Sequence, residues 1–269
     1  MIRPKKSLGQ NFLKSQGVVR VIVATARLEQ SDIVVEIGPG KGVLTKQLLE
    51  SIDPKKGGRV IAIEKDNRLI EILNNKFVDE IESGGLVVVH DDVLKIDLAN
   101  LRKEYNFSKY VVVANIPYYI TGEFLEKFLS SDHHPSKMVL LLQKEVVDRI
   151  MARDEKESIL SASVKAYGTP LYIKKVNAES FSPKPKVDSA ILLIDDISKD
   201  FFGSMNEKEF FRIVKAGFAH KRKVLVNNLR EVAEKEKISK AFEYCGINEK
   251  IRAENLTLAS WKCLFHLLK

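Results

Sequence analysis

The sequence predicts an α/β protein, an open parallel sheet with helices on both faces, followed by a small all-helical domain. Three observations carry that expectation. Short β-branched runs alternate with stretches of helical apolar spacing, a glycine-rich turn follows the first run, and strand signals cease after about residue 198. In chain order, apolar runs at residues 33–37, 59–63, 86–89, 110–114 and 138–142 predict five strands. Between them, Leu44, Leu48, Leu49 and Ile52 fall on one helical face, as do Phe124, Leu125, Phe128 and Leu129, then Val146, Val147, Ile150 and Met151. Two further strands are expected at 171–176 and 189–194. From Phe210, Phe211, Val214 and Phe218 onward the pattern is helical to Lys269, so the chain is divided into domains 1–198 and 199–269.

With 269 residues and 45% hydrophobic content, the chain can bury a substantial core. No apolar run approaches the roughly 18 residues of a membrane helix, and MIRPKKSLGQNFL lacks the apolar centre of a secretory signal. A cytoplasmic protein with no membrane partner is expected. Cys245 and Cys263 have no histidine at metal spacing and read as separate buried or neutral thiols, with no metal site. The net charge of +8 is unevenly placed. Residues 1–20 carry Arg3, Lys5, Lys6, Lys14 and Arg20 without an acid, and residues 212–230 carry Arg212, Lys215, Lys221, Arg222, Lys223 and Arg230, again without one. Together with Lys184 and Lys186 these blocks suit a phosphate backbone; a merely solvated face is the alternative.

The chemistry sits at the expected strand ends. The first ends in Glu36-Ile37-Gly38-Pro39-Gly40-Lys41-Gly42, where glycines let backbone pass close to a ligand. The second ends in Ile63-Glu64-Lys65-Asp66, and Glu64 can accept both hydroxyls of a ribose. The third ends in His90-Asp91-Asp92, a carboxylate for an adenine amine. An adenosine whose remainder need not be a phosphate fits these ends, and S-adenosylmethionine answers that description. The fourth run, VVVANIPYYITGEF, breaks into Asn115-Ile116-Pro117-Tyr118, because Pro117 offers no N–H and holds Ile116 out of helix. The Asn115 side-chain oxygen and the Ile116 or Pro117 carbonyl can accept hydrogen bonds from an exocyclic adenine amine and localise its lone pair. Tyr118 can stack on one face of a flipped base, and Phe181, in the stiff loop Ser180-Phe181-Ser182-Pro183-Lys184-Pro185-Lys186, on the other. Phe181 as a core anchor is the alternative.

These residues resemble, over nearly the whole chain, the small-subunit ribosomal RNA adenine dimethyltransferases of the bacterial KsgA type. The opening motif is KSLGQNFL at 6–13, followed by the glycine turn, Ile63-Glu64-Lys65-Asp66, Asp92, Asn115-Ile116-Pro117-Tyr118, Leu142-Gln143-Lys144-Glu145-Val146-Val147 and the Phe181 loop. Residues 218–229 look like the family's basic helix and Arg252-Ala253-Glu254-Asn255-Leu256 like its final-helix signature. The resemblance implies a Rossmann-like S-adenosylmethionine-dependent methyltransferase fold with a small helical RNA-binding domain. It implies cofactor contacts from Asn11, Leu13, Gly38, Gly40, Glu64, Asp92 and Asn115, and a base site of Asn115, Pro117, Tyr118 and Phe181. RNA contacts are expected from Lys184, Lys186, Lys221, Arg222 and Lys223. The implied reaction is dimethylation of two adjacent adenosines in the 3′-terminal hairpin of small-subunit (16S) rRNA, by a monomer acting within a pre-30S particle and contributing to its biogenesis. Two positions depart from the family pattern. Ile116 stands where Leu is usual, and Glu157-Ser158-Ile159-Leu160-Ser161 stands where Tyr-Gly-x-Leu-Ser is usual. Two other readings stand beside this one: a large-subunit (23S) adenine methyltransferase of the macrolide-resistance type, and a non-catalytic assembly factor.

Overall fold

The computed structural model describes residues 4, 5 and 8–269; Arg3, Lys6 and Ser7 lie outside them. The chain divides into two compact units. The first runs through Val147 and resumes over Thr169–Ile197, and the second joins Asp148–Gly168 to Ser198–Lys269. Residues 148–168, which the sequence assigns to the first domain, therefore group with the C-terminal helices.

Among the described residues the first unit is built on nine strands: β1 (Phe12–Leu13), β2 (Ile33–Ile37), β3 (Arg59–Glu64), β4 (Leu86–His90), β5 (Val111–Asn115), β6 (Lys137–Gln143), β7 (Thr169–Val176), β8 (Phe181–Ser182) and β9 (Ser189–Asp195). Seven of them form one sheet in the order β4-β3-β2-β5-β6-β9-β7, while β1 and β8 form a separate antiparallel pair. From β4 through β6 neighbouring strands are parallel. The two last strands correct the all-parallel expectation, since β9 runs antiparallel to both β6 and β7. Only residues 177–188 join β7 to β9, a connection without the crossover helix that parallel neighbours need. Nearly every residue of β2, β3, β5, β6 and β9 is buried. Because side chains alternate between faces, burial of successive residues means both faces are covered.

The register brings the C-terminal ends of the central strands to one edge. Ile37 of β2 stands level with Ile63 of β3 and Ala114 of β5, and Glu64 with His90 of β4. Ligands of open α/β sheets bind at such an edge.

The second unit packs helices Ile159–Tyr167, Glu207–Gly217 and Leu258–Leu268 around Tyr167, Phe202, Phe210, Phe211 and Phe265, and helix Lys235–Tyr244 against Leu258–Leu268. The departure at 157–161 forms a capping box: Ser158 Oγ accepts from Ser161 N–H at 3.1 Å, and Ser161 Oγ accepts from Ser158 N–H at 2.7 Å. Two expectations are corrected. Cys245 and Cys263 are joined in a disulfide; they fall at the end of one helix and within the next, a proximity that spacing along the chain does not reveal. Lys221, Arg222 and Lys223 lie in a turn rather than a helix, because the preceding helix ends at Gly217. A Cβ at Gly217 would lie 2.3 Å from Trp261 Cη2, so only glycine lets the ring pack there. Asn228, 2% exposed, then donates its Nδ2 to Gly217 O at 2.6 Å and His220 O at 3.2 Å, holding the turn. Among the described residues no helix is long and apolar enough to cross a membrane.

Replacing Asn228 with Ala strands buried carbonyls at the helix end. A stability loss of about 1–3 kcal/mol is expected, read as a lower urea midpoint; an unchanged midpoint would show that water satisfies those carbonyls.

Candidate active site

The turn after β2 fixes the floor of the site. Gly40 (φ +59°) and Gly42 (φ +70°) both adopt left-handed backbone. A Cβ at Gly42 would lie 2.4 Å from Phe77 Cε2, and one at Gly40 would lie 3.1 Å from Phe12 Cδ1. Gly38 N–H donates to Ile63 O at 3.0 Å, and Lys76 Nζ donates to the carbonyls of Lys41 and Gly42 at 2.9 and 3.1 Å. The turn is thereby clasped from both sides.

Glu64, the last residue of β3, is 7% exposed and accepts from Gly40 N–H at 3.1 Å and Asp66 N–H at 2.9 Å. Burial raises its pKa from the ordinary value against those bonds. Asp92 follows β4. Its Oδ2 pairs with Lys65 Nζ at 2.7 Å and its Oδ1 accepts from Leu94 N–H at 3.1 Å. Burial works to raise the Asp92 pKa, but the bonds from Lys65 and Leu94 outweigh it and hold the carboxyl below its ordinary value.

Asn115 closes β5, and its Nδ2 donates to the carbonyl of Asn11 at 3.1 Å. With the donor so engaged, Oδ1 is left as an acceptor with no partner among the described residues. Pro117 O accepts from Ile120 N–H at 3.2 Å, which leaves the Ile116 carbonyl as the candidate second acceptor. Tyr118 is half-buried, with its phenol oxygen 2.9 Å from Ser189 Oγ. Burial raises the phenol pKa despite that bond, so the ring remains neutral.

A strap formed by residues 8–13 lies across these ends. Lys5 Nζ and Gln10 Nε2 both reach Asp66, at 3.3 and 2.9 Å. The Arg68 guanidinium beside Asp66, together with Gln10 and Lys5, holds that buried carboxyl well below the usual range. Phe12 sits over Gly40, and Lys41 Nζ lies 5.0 Å from the centre of its ring.

The strap and strand ends enclose a cavity of about 140 Å³. Asn11, Gly38, Gly40, Glu64, Asp92, Asn115, Pro117 and Tyr118, all expected from sequence, line it. Leu13 and Phe181 do not. They are 7% and 2% exposed and belong to the hydrophobic core, because β1 pairs with β8 and turns both side chains inward. Phe181 therefore offers no face to a base in this conformation, and the expected two-sided aromatic clamp has only its Tyr118 side. Lys184 is exposed and paired with Glu179, and Lys186 is exposed; neither lines the cavity. Lys221, Arg222 and Lys223 are exposed on the second unit.

The sequence missed three features. The Lys5–Gln10–Asp66 clasp joins residues 61 and 56 positions apart, and no local pattern signals it. Tyr119, also lining the cavity, is hidden by its neighbour in the motif. Glu36, one residue before the end of β2, is 1% exposed, and among the described residues neither carboxyl oxygen has a hydrogen bond of ordinary geometry. Burial lifts its pKa to about 8, so at neutral pH it is mostly the uncharged acid.

A left-handed glycine cradle, a Glu64 carboxyl with lone pairs to spare and an acid at the end of β4 are what an adenosine whose extension is not a phosphate requires. They fit S-adenosylmethionine. Coupled to an amide acceptor and a tyrosine at the end of β5, that cradle defines the class of S-adenosylmethionine-dependent methyltransferases acting on an amine. Comparison with known proteins narrows the class. A family model described as ribosomal RNA adenine dimethylase matches residues 1–269. The chain belongs to that family, whose members take S-adenosylmethionine as methyl donor. The ribosomal RNA small subunit methyltransferase A of Dehalococcoides mccartyi is 37% identical over 265 residues, covering 98% of this chain and 88% of the relative. A dimethyladenosine transferase from Plasmodium falciparum superposes with a TM-score of 0.78 at 28% identity, covering 94% of this chain and 95% of that one. The 23S rRNA methyltransferase ErmE superposes with a TM-score of 0.75 at 22% identity, over 96% of this chain and 99% of that one, and so shares the fold.

Glu36 sets a testable pH dependence. Its folded pKa of about 8 exceeds the ordinary 4.5, so the stability it contributes is complete below about pH 4.5 and is lost as pH rises towards 8, with a slope of up to about 1.4 kcal/mol per pH unit. Glu36→Gln should flatten urea midpoints between pH 5 and 8; an undiminished slope would mean that Glu36 is not the group titrating there.

Proposed function

We propose that this protein transfers methyl groups from S-adenosylmethionine to the exocyclic amines of two adjacent adenosines in the 3′-terminal hairpin of small-subunit rRNA, two to each. The observation that supports this most directly is the donor bond from Asn115 Nδ2 to Asn11 O, which presents Oδ1 rather than Nδ2 to the cavity. Adenine's amine is a poor nucleophile because its lone pair is delocalised into the ring. Asn115 Oδ1 and the Ile116 carbonyl accept hydrogen bonds from that amine and draw the lone pair out of conjugation. No strong base is needed, since the amine becomes acidic as it alkylates and releases its proton to water.

When bound, S-adenosylmethionine supplies an electrophilic methyl on a sulfonium. Gly38, Gly40 and Asn11 would give its adenosine backbone-lined space, Glu64 would accept hydrogen bonds from its ribose hydroxyls and Asp92 would hold its adenine amine. Tyr118 stacks on the flipped adenine, worth about 1–3 kcal/mol against a flipping cost of a few. The exposed Lys221, Arg222 and Lys223, with Lys184 and Lys186, contact RNA phosphates. The named relatives support a small-subunit substrate; the likeness to the 23S enzyme, at 22% identity, bears on the fold alone. We place the enzyme in the cytoplasm as a monomer acting on a pre-30S particle. The disulfide is unusual for that compartment outside hyperthermophiles.

Labelled methyl from S-adenosylmethionine, offered to unmethylated small subunits, to large-subunit rRNA and to naked RNA, should appear as dimethyladenine at two adjacent small-subunit positions. Label on large-subunit RNA would transfer the protein to the other substrate. Asn115→Ala should lower transfer at least about 100-fold, the scale of losing one aligned transition-state group, with RNA binding retained. Loss of both would contradict this division of labour. Replacing Lys221, Arg222 and Lys223 together with Ala should reduce the slope of log affinity against log salt by roughly two units, at about 0.7–0.9 per phosphate contact; an unchanged slope removes that turn from the interface.

A further inference from the structure

Tyr119 is 62% exposed, and of the exposed large apolar side chains among the described residues it alone lines the cavity. Its setting is built. Tyr118–Ile120 form one tight turn, in which successive side chains diverge by about 120°. Ile120 is directed into the core at 9% exposure, and Tyr118 is anchored to Ser189, so Tyr119 is the member left at the mouth. Its hydroxyl has no hydrogen-bond partner among the described residues.

One edge of the ring is held. Gly9, at φ +60°, passes so close that a Cβ there would lie 3.2 Å from Tyr119 Cε1 and 3.3 Å from Cδ1. The remaining surface is open. Lys65, whose ammonium is half exposed beside Asp92, shares the same rim. An aromatic plane fixed along one edge and open to solvent, next to a half-exposed lysine at the mouth of the cavity, suits an unstacked nucleotide: the ring for its base, the ammonium for its phosphate.

We propose that Tyr119 is the stacking platform for the nucleoside adjoining the target adenine in the RNA strand. This rests on the reading that the cavity accepts a flipped adenine, and names what happens to its neighbour. Extruding one base exposes the face of the next, and Tyr119 is the residue beside Tyr118 able to cover that face. Where two adjacent adenosines are modified in turn, each is the other's neighbour. Methylation of the amine removes hydrogen-bond donors and leaves the ring's face intact, so a stacking contact serves before and after modification where a hydrogen bond to the amine would not. Tyr119 is thus a positioning residue: it holds the flank of the strand while Asn115 meets the amine.

The test compares Tyr119→Ala, Tyr119→Phe and Tyr119→Leu in methyl transfer to unmethylated small subunits, alongside S-adenosylmethionine affinity by calorimetry. Tyr119→Ala and Tyr119→Leu should raise KM for subunits roughly 10-fold, with cofactor affinity unchanged, while Tyr119→Phe, which keeps the ring, should stay near wild type. An unaltered KM in Tyr119→Ala overturns the proposal. So does cofactor affinity falling in parallel with KM, which would make Tyr119 a clamp on the strap at Gly9, and so does full activity in Tyr119→Leu, which would show that apolar bulk suffices. If the wild-type protein itself transfers no methyl to small subunits, the failure belongs to the proposed function and not to Tyr119.

Discussion

The site depends on one constraint, the parallel register that ends β2, β3, β4 and β5 at a single level. How far a residue stands from that level decides whether a polar side chain meets the ligand edge or the sheet interior, even where two residues point to the same face. Two glutamates show the difference. Glu36 stands level with Ala62, within the sheet, and among the described residues neither of its oxygens has a hydrogen bond of ordinary geometry. Glu64 stands two residues further along the neighbouring strand and finds two backbone N–H groups at the turn. The first is neutralised by its surroundings and the second retains acceptors for a ligand, although both are glutamates buried on adjoining strands.

The edge alone would still leave Asn115 ambiguous, because an amide can present a donor or an acceptor. The strap removes the ambiguity. Only Nδ2 can donate to the Asn11 carbonyl, so the oxygen must face elsewhere. The strap is itself held by Gln10 and Lys5 on Asp66, a carboxyl kept ionised by Arg68. Orientation at the reacting end of β5 is therefore coupled to charge pairing just beyond the end of β3.

Much of this was legible in the sequence, and the remainder was not for definable reasons. Seven strands were placed within a residue or two because β-branched runs between helical patterns admit few alternatives. Strand direction in the last pair was not legible, since it depends on what the 177–188 connection lacks. The grouping of 148–168 with the C-terminal helices was equally hidden: Tyr167 packs on Phe202 and Phe211, partners remote in the chain. The residues expected at strand ends line one cavity because each strand end is a local signal and the register aligns them. Leu13 and Phe181 were misplaced because a two-residue strand has no periodicity, and the burial of both follows from their pairing.

That pairing has a mechanical consequence. Phe12 stands opposite Ser182 and Leu13 opposite Phe181, and Lys14 N–H donates to Ser180 O at 2.9 Å. The strap that covers Gly40 and orients Asn115 is thus hydrogen-bonded to the loop that carries Phe181 and, three residues on, Lys184. Neither segment has enough length in its two paired residues to move as an independent strand, and both bury an apolar side chain in the same core. Any rearrangement that brings the Phe181 ring towards a base must carry Leu13 with it, and any opening of the strap must disturb the Phe181 loop. The strap over the glycine turn and the loop that carries Phe181 therefore form a single mechanical element.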